Sequence, residues 1–266
     1  MNLSKRKELL LKLGEYIRSD DEEWENIKKR ATAENPWFIP EFINLAIKNI
    51  YNCYLQPKPL DQLIADYSIP DELARPKKVG IVMAGNIPLV GFHDLLCVFL
   101  TGHIAIVKPS SRDEAMIKHL IEKLNEWDEG TKELIIIKTL IPDCDAYIAT
   151  GSNNSARYFE FYFSKYPSII RKNRTSVAIL SGKESKEDLE MLADDVYLYF
   201  GLGCRNVTKL YVPENYNFIE LLNAFKKYDY LADHHKYKNN YDHILAMHIL
   251  NNQYYMSNPG ILLIEN

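Results

Sequence analysis

The chain has 266 residues, of which 47% are hydrophobic and 26% charged, with a formal net charge of −4. This is the composition of a globular protein long enough for one large domain or two modest ones, and so small and scattered a charge gives no long-range attraction for nucleic acid or an anionic membrane. The most apolar stretch, residues 88–107, is interrupted by His93, Asp94 and His103, so it does not read as a membrane span.

Residues from about 4 to 55 carry helical periodicity with polar and apolar faces, interrupted near Asn35-Pro36. Residues 56–78, which include Pro57, Pro59, Pro70 and Pro76, read as a connector crossing the surface. From Lys78 onward strands and helices alternate. Val79-Gly80-Ile81-Val82-Met83 predicts a buried strand ending in the turn Ala84-Gly85-Asn86. Pro88 stands where helices start and Gly102 where they stop. Ile104-Ala105-Ile106-Val107 predicts the next strand. Ser111 and Glu114 then have capping-box spacing for a helix whose apolar residues Ile117, Leu120, Ile121, Leu124 and Trp127 recur at helical period. Further strands are predicted at 134–138, 146–149 and 176–180, with a helix after Gly151-Ser152. This alternation predicts an α/β fold with a doubly wound, mostly parallel sheet.

A second unit is expected to begin near Gly182, giving domains over 1–182 and 183–266. Leu189, Leu192, Ala193, Val196, Tyr197 and Phe200 mark one face of a helix closed by Gly201. A strand at 210–212, a helix capped by Asn217 with Glu220, and another helix before Asn251 follow. The terminal segment 260–266 reads as an apolar strand with nothing to pair it, so the second unit is expected to be cut short.

A parallel sheet places ligands at the carboxyl ends of its strands. Three polar turns fall at such ends: Gly85-Asn86, Lys108-Pro109-Ser110 and Thr150-Gly151-Ser152. Helix N-termini there suit phosphates, although on the residues alone plain helix caps are the favoured reading of Ser110, Ser111 and Ser152. Gly201-Leu202-Gly203-Cys204-Arg205-Asn206 begins like a dinucleotide fingerprint, yet it lacks the third glycine and follows a helix where a strand is needed. The glycines instead clear space around Cys204, and Arg205 beside it favours the thiolate, which makes Cys204 a candidate nucleophile. The alternative is a small buried hydrophobe, the reading that fits Cys53 and Cys97. Cys53, Cys97, Cys144 and Cys204 show neither CxxC pairs nor metal spacing, and the opening Met1-Asn2-Leu3-Ser4-Lys5-Arg6 lacks the apolar core of a secretory signal. Both features suggest free thiols in a cytoplasmic protein. His93, His234, His235, His243 and His248 match no standard metal spacing, so no metal site is expected.

Taken in order, these motifs resemble the aldehyde dehydrogenase superfamily. Gly80-Ile81-Val82-Met83-Ala84-Gly85-Asn86-Ile87-Pro88 resembles its strand and Asn-x-Pro turn, Val107-Lys108-Pro109-Ser110 its Lys-Pro-Ser turn, Thr150-Gly151-Ser152 its Thr-Gly-Ser helix start, and Gly203-Cys204 its nucleophile loop. Within that superfamily the chain is similar to the acyl-CoA reductases typified by the fatty-acid reductase component of bacterial bioluminescence. The segments 83–94, 149–154 and 200–206 carry that likeness, which runs from roughly Asn35 to the end. The resemblance implies an aldehyde-dehydrogenase-like cofactor domain followed by an incomplete catalytic domain. It implies that Cys204 attacks an acyl-CoA thioester and expels coenzyme A. The Asn86 amide, with the Cys204 N–H, would hold the oxyanion, such donors being worth about 3 kcal/mol each. Lys108 and Ser110 would meet the adenosine ribose and its phosphate, and Thr150, Gly151 and Ser152 the pyrophosphate and nicotinamide end. Subunit association through the chain beyond the catalytic domain leaves a homo-oligomer open.

Two departures from the superfamily pattern refine this. Aldehyde-oxidising members carry a water-activating Glu in a Glu-Leu-Gly-Gly-Lys segment, and here the corresponding stretch reads Arg171-Lys172-Asn173-Arg174-Thr175. Without that base, exchange with the thiol of coenzyme A is favoured over hydrolysis, because a thiol ionises far more readily than water. Members that prefer NAD often have Glu after the Lys-Pro-Ser turn. Here Ser111 and Arg112 follow, which favours NADPH, with NADH the other candidate. The rival readings are a non-acylating aldehyde dehydrogenase and a non-catalytic cofactor-binding relative.

Overall fold

A computed structural model describes residues 1–265, which divide into two compact units, Met1–Asn173 and the chain from Arg174 onward. The first unit opens with four helices: α1 (Leu3–Arg18), α2 (Glu22–Glu34), α3 (Pro40–Tyr54) and α4 (Pro57–Asp66). Asn2 and Asp21 cap the first two, each side chain accepting backbone N–H groups of the opening turn. The expected connector at 56–78 is thus partly helical. Pro57 and Pro59 lie in the first turn of α4, where a missing N–H removes no intrahelical bond.

The alternating region follows as β1 (Lys78–Val82), α5 (Phe92–Leu100), β2 (Ile104–Lys108), α6 (Glu114–Trp127), α7 (Thr131–Leu134), β3 (Ile135–Ile137), β4 (Ala146–Thr150), α8 (Asn153–Phe163) and β5 (Ser168–Arg171). The five strands form one parallel sheet in the order β3-β2-β1-β4-β5. The order reverses at β1, whose two flanks are β2 and β4, and this is the doubly wound arrangement the alternation predicts. Ile81, Ala105 and Val107 in the sheet, with Leu13, Trp24, Phe92, Phe99 and Ile117 from the helices, are buried together in one core. Gly102 stops α5 at φ +80°, as its position in the sequence implies. A side chain there would also crowd the buried Arg6 guanidinium, which donates to the carbonyls of Leu100, Pro70 and Asp71 and ties α1 to the end of α5.

Three local expectations need correction. Helix α5 starts at Phe92, because residues from Pro88 to Gly91 form tight turns first. The Ser111–Glu114 capping box does not form: the turn closed by the Asp113 N–H onto the Ser110 carbonyl (3.0 Å) delays the helix, and Asp113 becomes the N-cap residue. Strand β5 was not anticipated. It is short, lies at the sheet edge and has no fully buried residue, and its apolar residues are only Ile169 and Ile170.

The second unit contains β6 (Ser176–Ile179), α9 (Lys186–Tyr197), β7 (Val207–Tyr211), α10 (Phe218–Phe225), α11 (His235–Leu250), β8 (Met256–Asn258) and β9 (Ile261–Leu263). The predicted strand at 176–180 does not extend the first sheet. It pairs in parallel with β7, which places the division at Asn173–Arg174, ahead of the Gly182 expected from sequence. Ser185 and Asp188 make a reciprocal capping box for α9, whose buried face is Leu189, Leu192, Ala193 and Tyr197. Asn217 caps α10 as expected. The terminal strand is paired after all: β9 runs antiparallel to β8, and Tyr237 and Tyr241 of α11 donate to the carbonyls of Gly260 (2.7 Å) and Asn258 (2.9 Å). The last residue of that segment, Asn266, lies outside the described residues. Among those residues no helix is long and apolar enough to cross a membrane.

Candidate active site

In the first unit, Lys108 and Ala149 both pair with Val82 in the sheet register. The turns that leave β1, β2 and β4 therefore emerge at one edge, with Lys108 and Ala149 about 10 Å apart across the central strand. Ladder bonds continue past the strand ends, from the Met83 N–H to the Lys108 carbonyl (3.1 Å) and from the Gly151 N–H to the Arg171 carbonyl (3.1 Å). Gly85 lies hard against Ser110. A Cβ at Gly85 would fall 2.5 Å from the Ser110 Oγ, so only glycine lets the two turns meet.

The expected cofactor residues thus converge on the switch point of the sheet. Lys108 is exposed, Ser110 and Asn86 are half-buried, and the Ser110 Oγ accepts the Arg112 N–H (3.3 Å). Ser152 is the N-cap of α8, its Oγ accepting the Ser155 N–H at 3.2 Å, so its side chain serves its own helix. Thr150 and Gly151 lead into that helix start. An exposed ammonium, a helix N-terminus and the exposed Ser111 and Arg112 form a donor set that fits an anionic dinucleotide.

Arg171 ends β5 beside Thr150, with which it is in register. Its Nη1 donates to both Asp94 oxygens, at 2.7 and 2.9 Å. Asp94 sits in the first turn of α5 and is only 7% exposed. Burial alone would raise its carboxyl, but contacts with His93 and Arg171 hold it below the usual carboxylate range. His93 Nδ1 lies 3.8 Å from Asp94, and its Nε2 lies 3.7 Å from the Cys97 sulfur. The Asp94 carboxylate and then the Cys97 thiol push the His93 pKa up to about 10. This ionic cluster escaped sequence reading because Asp94 and Arg171 lie 77 residues apart.

In the second unit, Cys204 is exposed, so the alternative of a buried hydrophobe does not apply to it; in the first unit that reading fails for Cys53, which is exposed too. The turn around it is tied by Asn206. Its Oδ1 accepts the Gly203 N–H (2.7 Å), and its Nδ2 donates to the carbonyls of Asp195 (2.8 Å) and Leu198 (3.1 Å) at the end of α9. Asn206 is itself buried, and a Cβ at Gly203 would strike its Oδ1 at 2.7 Å. Upstream, Tyr199, Phe200 and Gly201 are all left-handed, with φ of 56°, 57° and 70°. For the two aromatic residues that costs about 1 kcal/mol each. Burial of the Phe200 ring against His234 (4.5 Å) and Tyr237 (5.4 Å) offsets it. The part Asn206 plays in this turn is not revealed by spacing alone, since its Nδ2 is bonded to carbonyls at the end of the preceding helix.

Residues 71–225 match the acyl-CoA reductase (LuxC) family. The chain belongs to that family. The matched span contains Asn86, Lys108, Ser110, Thr150, Gly151, Ser152 and Cys204. No curated protein matches the sequence. Among solved structures, the chain is similar to the aldehyde dehydrogenase KauB from Pseudomonas aeruginosa, at 16% identity and a TM-score of 0.65, over 86% of this chain and 51% of that one. It is also similar to the putative aldehyde dehydrogenase PutA from Anabaena variabilis, at 16% identity and a TM-score of 0.64, over 86% of this chain and 52% of that one. An indole-3-acetaldehyde dehydrogenase solved in complex with NAD+ gives 14% identity and a TM-score of 0.64, over 86% and 51%. These likenesses establish the aldehyde dehydrogenase fold, and the chain spans about half the length of the structures it matches.

Proposed function

We propose that this protein is an acyl-CoA reductase that forms an aldehyde through a thioester on Cys204. The observation that carries the reading is the exposed Cys204 thiol on a turn fixed by Asn206, inside the segment that matches the family. The Cys204 thiolate attacks the acyl carbon, a carbon–sulfur bond forms, and coenzyme A leaves as its thiolate. The Asn86 amide is the oxyanion donor in that step by the resemblance noted above. Lys108, Ser110 and the Thr150-Gly151-Ser152 helix start hold the dinucleotide, which supplies a hydride when bound. The thiohemiacetal then left on Cys204 collapses to free aldehyde and restored thiolate.

Arg171 supports acyl-CoA over free aldehyde as the partner of Cys204. The residue at the position of the water-activating Glu is a cation committed to Asp94, so deacylation by activated water lacks its base. NADPH is the preferred cofactor on this reading, because Ser111 and Arg112 tolerate a 2′-phosphate better than a carboxylate does.

The test is incubation of the full-length protein with a medium- or long-chain acyl-CoA, followed by intact mass. A single acyl adduct that disappears in Cys204→Ala is expected. An adduct that survives Cys204→Ala, or none in the wild type, defeats the reading. Following NADPH and NADH oxidation separately in the same assay tests the cofactor assignment.

A further inference from the structure

Asp113 occupies the N-cap of α6, where an aspartate ordinarily accepts N–H groups of its own helix. Here it makes no such bond. Its Oδ2 instead accepts the N–H of Leu89 at 2.6 Å, across 24 residues of sequence. Its Oδ1 has no hydrogen-bond partner among the described residues, and the residue is only 4% exposed. The donor is as unusual as the acceptor. Leu89 is buried and left-handed, with φ of 56°, a conformation that costs a branched side chain about 1 kcal/mol or more. A carboxyl withdrawn both from water and from its own helix, and bonded to one strained amide, is costly in stability.

What the bond constrains is the turn that carries Asn86. Leu89 belongs to the same turn, Gly85 at its start touches Ser110, and Ser110 to Asp113 form one closed turn of their own. We infer that Asp113 is a positioning residue that latches the Asn86 turn to the Ser110 turn, so that the oxyanion donor and the cofactor-binding turn keep one fixed relation. Burial pushes the Asp113 carboxyl well above the usual carboxylate range, which lets it stand there without a counter-ion. The functional role of Asn86 rests on the acyl-transfer reading. The latch itself does not.

Two readouts on the full-length protein separate the claims. The first is backbone amide exchange over residues 85–91, which needs no activity. Asp113→Ala is expected to speed exchange there at least about tenfold relative to β1 and β2, and Asp113→Asn, which keeps a neutral acceptor, to recover most of the protection. Unchanged exchange in Asp113→Ala overturns the latch. The second is single-turnover acylation of Cys204. Asp113→Ala is expected to slow it about a hundredfold, the scale of a misplaced oxyanion donor. In an Asn86→Ala background it should slow acylation no further. A full additional slowing there means that Asp113 does not act through Asn86, and overturns the proposal. Asp113→Glu keeps the acceptor but moves it by one methylene, and serves if the alanine variant does not fold. It should slow acylation at least about tenfold, and wild-type acylation in it also overturns the proposal. If the wild type forms no acyl adduct at all, the acyl-transfer reading falls while the exchange experiment still decides the latch.

Discussion

In the first unit the turns that carry Asn86, Lys108 and Thr150 hang from three adjacent parallel strands whose Ile81, Val107 and Ala149 are buried. In the second, the turn that carries Cys204 precedes β7, a largely exposed strand of a two-stranded sheet. The first set is placed by topology, because any turn at the end of a central strand arrives at the same edge. The second is placed by one side chain, since Asn206 supplies the bonds that the small sheet cannot. Neither solution is free of strain. Leu89 in the first unit and Tyr199 with Phe200 in the second are held left-handed next to candidate site residues.

Changes that break one means of support and spare the other test this contrast. The largest effect is expected from Asn206→Leu, which strands the Gly203 N–H and the carbonyls of Asp195 and Leu198. A loss of about 3 kcal/mol is expected in the second unit, seen as faster exchange at residues 198–206 with the first unit's sheet still protected. Equal loosening of both units would dissolve the distinction. Next is Gly85→Ala, whose Cβ collides with Ser110, at about 2 kcal/mol in denaturant unfolding of the first unit. Ser110→Gly in the same chain should restore part of that loss, and strict additivity of the two changes would show that the turns do not touch. Ser185→Ala removes the α9 capping box and should cost the second unit about 1 kcal/mol by the same measurement.

The most gradual effect concerns pH and the first unit alone. His119 is buried, stacked on Trp24 at 5.7 Å and hydrogen-bonded to the Tyr16 hydroxyl at 2.7 Å, and burial lowers its pKa. The unfolded chain takes up a proton near pH 6.5 that the native imidazole refuses. Stability therefore declines as pH falls below about 6.5, and is fully present above it. Unfolding curves between pH 8 and 5 should show a shallower decline for His119→Phe than for the wild type. Parallel curves would mean that His119 is not the titrating group.

Much of the first unit was legible because its signals are local. Apolar runs of four or five residues bounded by turn residues mark β1, β2 and β4, and glycine at 102 marks the end of α5. The candidate cofactor residues were legible for the same reason, being the polar residues that follow those runs. Where sequence reading failed, a remote partner decided. The Ser111–Glu114 spacing looked like a capping box, but Asp113 is drawn to Leu89 and the helix begins later. The apolar pattern at 176–180 marks a strand but not its sheet, because a strand's sequence does not name its neighbour. The terminal strand is marked by its apolar run but its partner is not, since Met256-Ser257-Asn258 carries none.

By itself the sequence determined the alternation of strands and helices, the parallel sheet and the small set of polar turns at the strand ends, because periodicity and turn chemistry are written in neighbouring residues. Only the tertiary structure decided that Arg171 is committed to Asp94, that Asp113 holds the turn of Asn86 and that Asn206 shapes the turn of Cys204. Two of those bonds join residues far apart in the chain, and all three are worth making only where burial removes water as the competing partner.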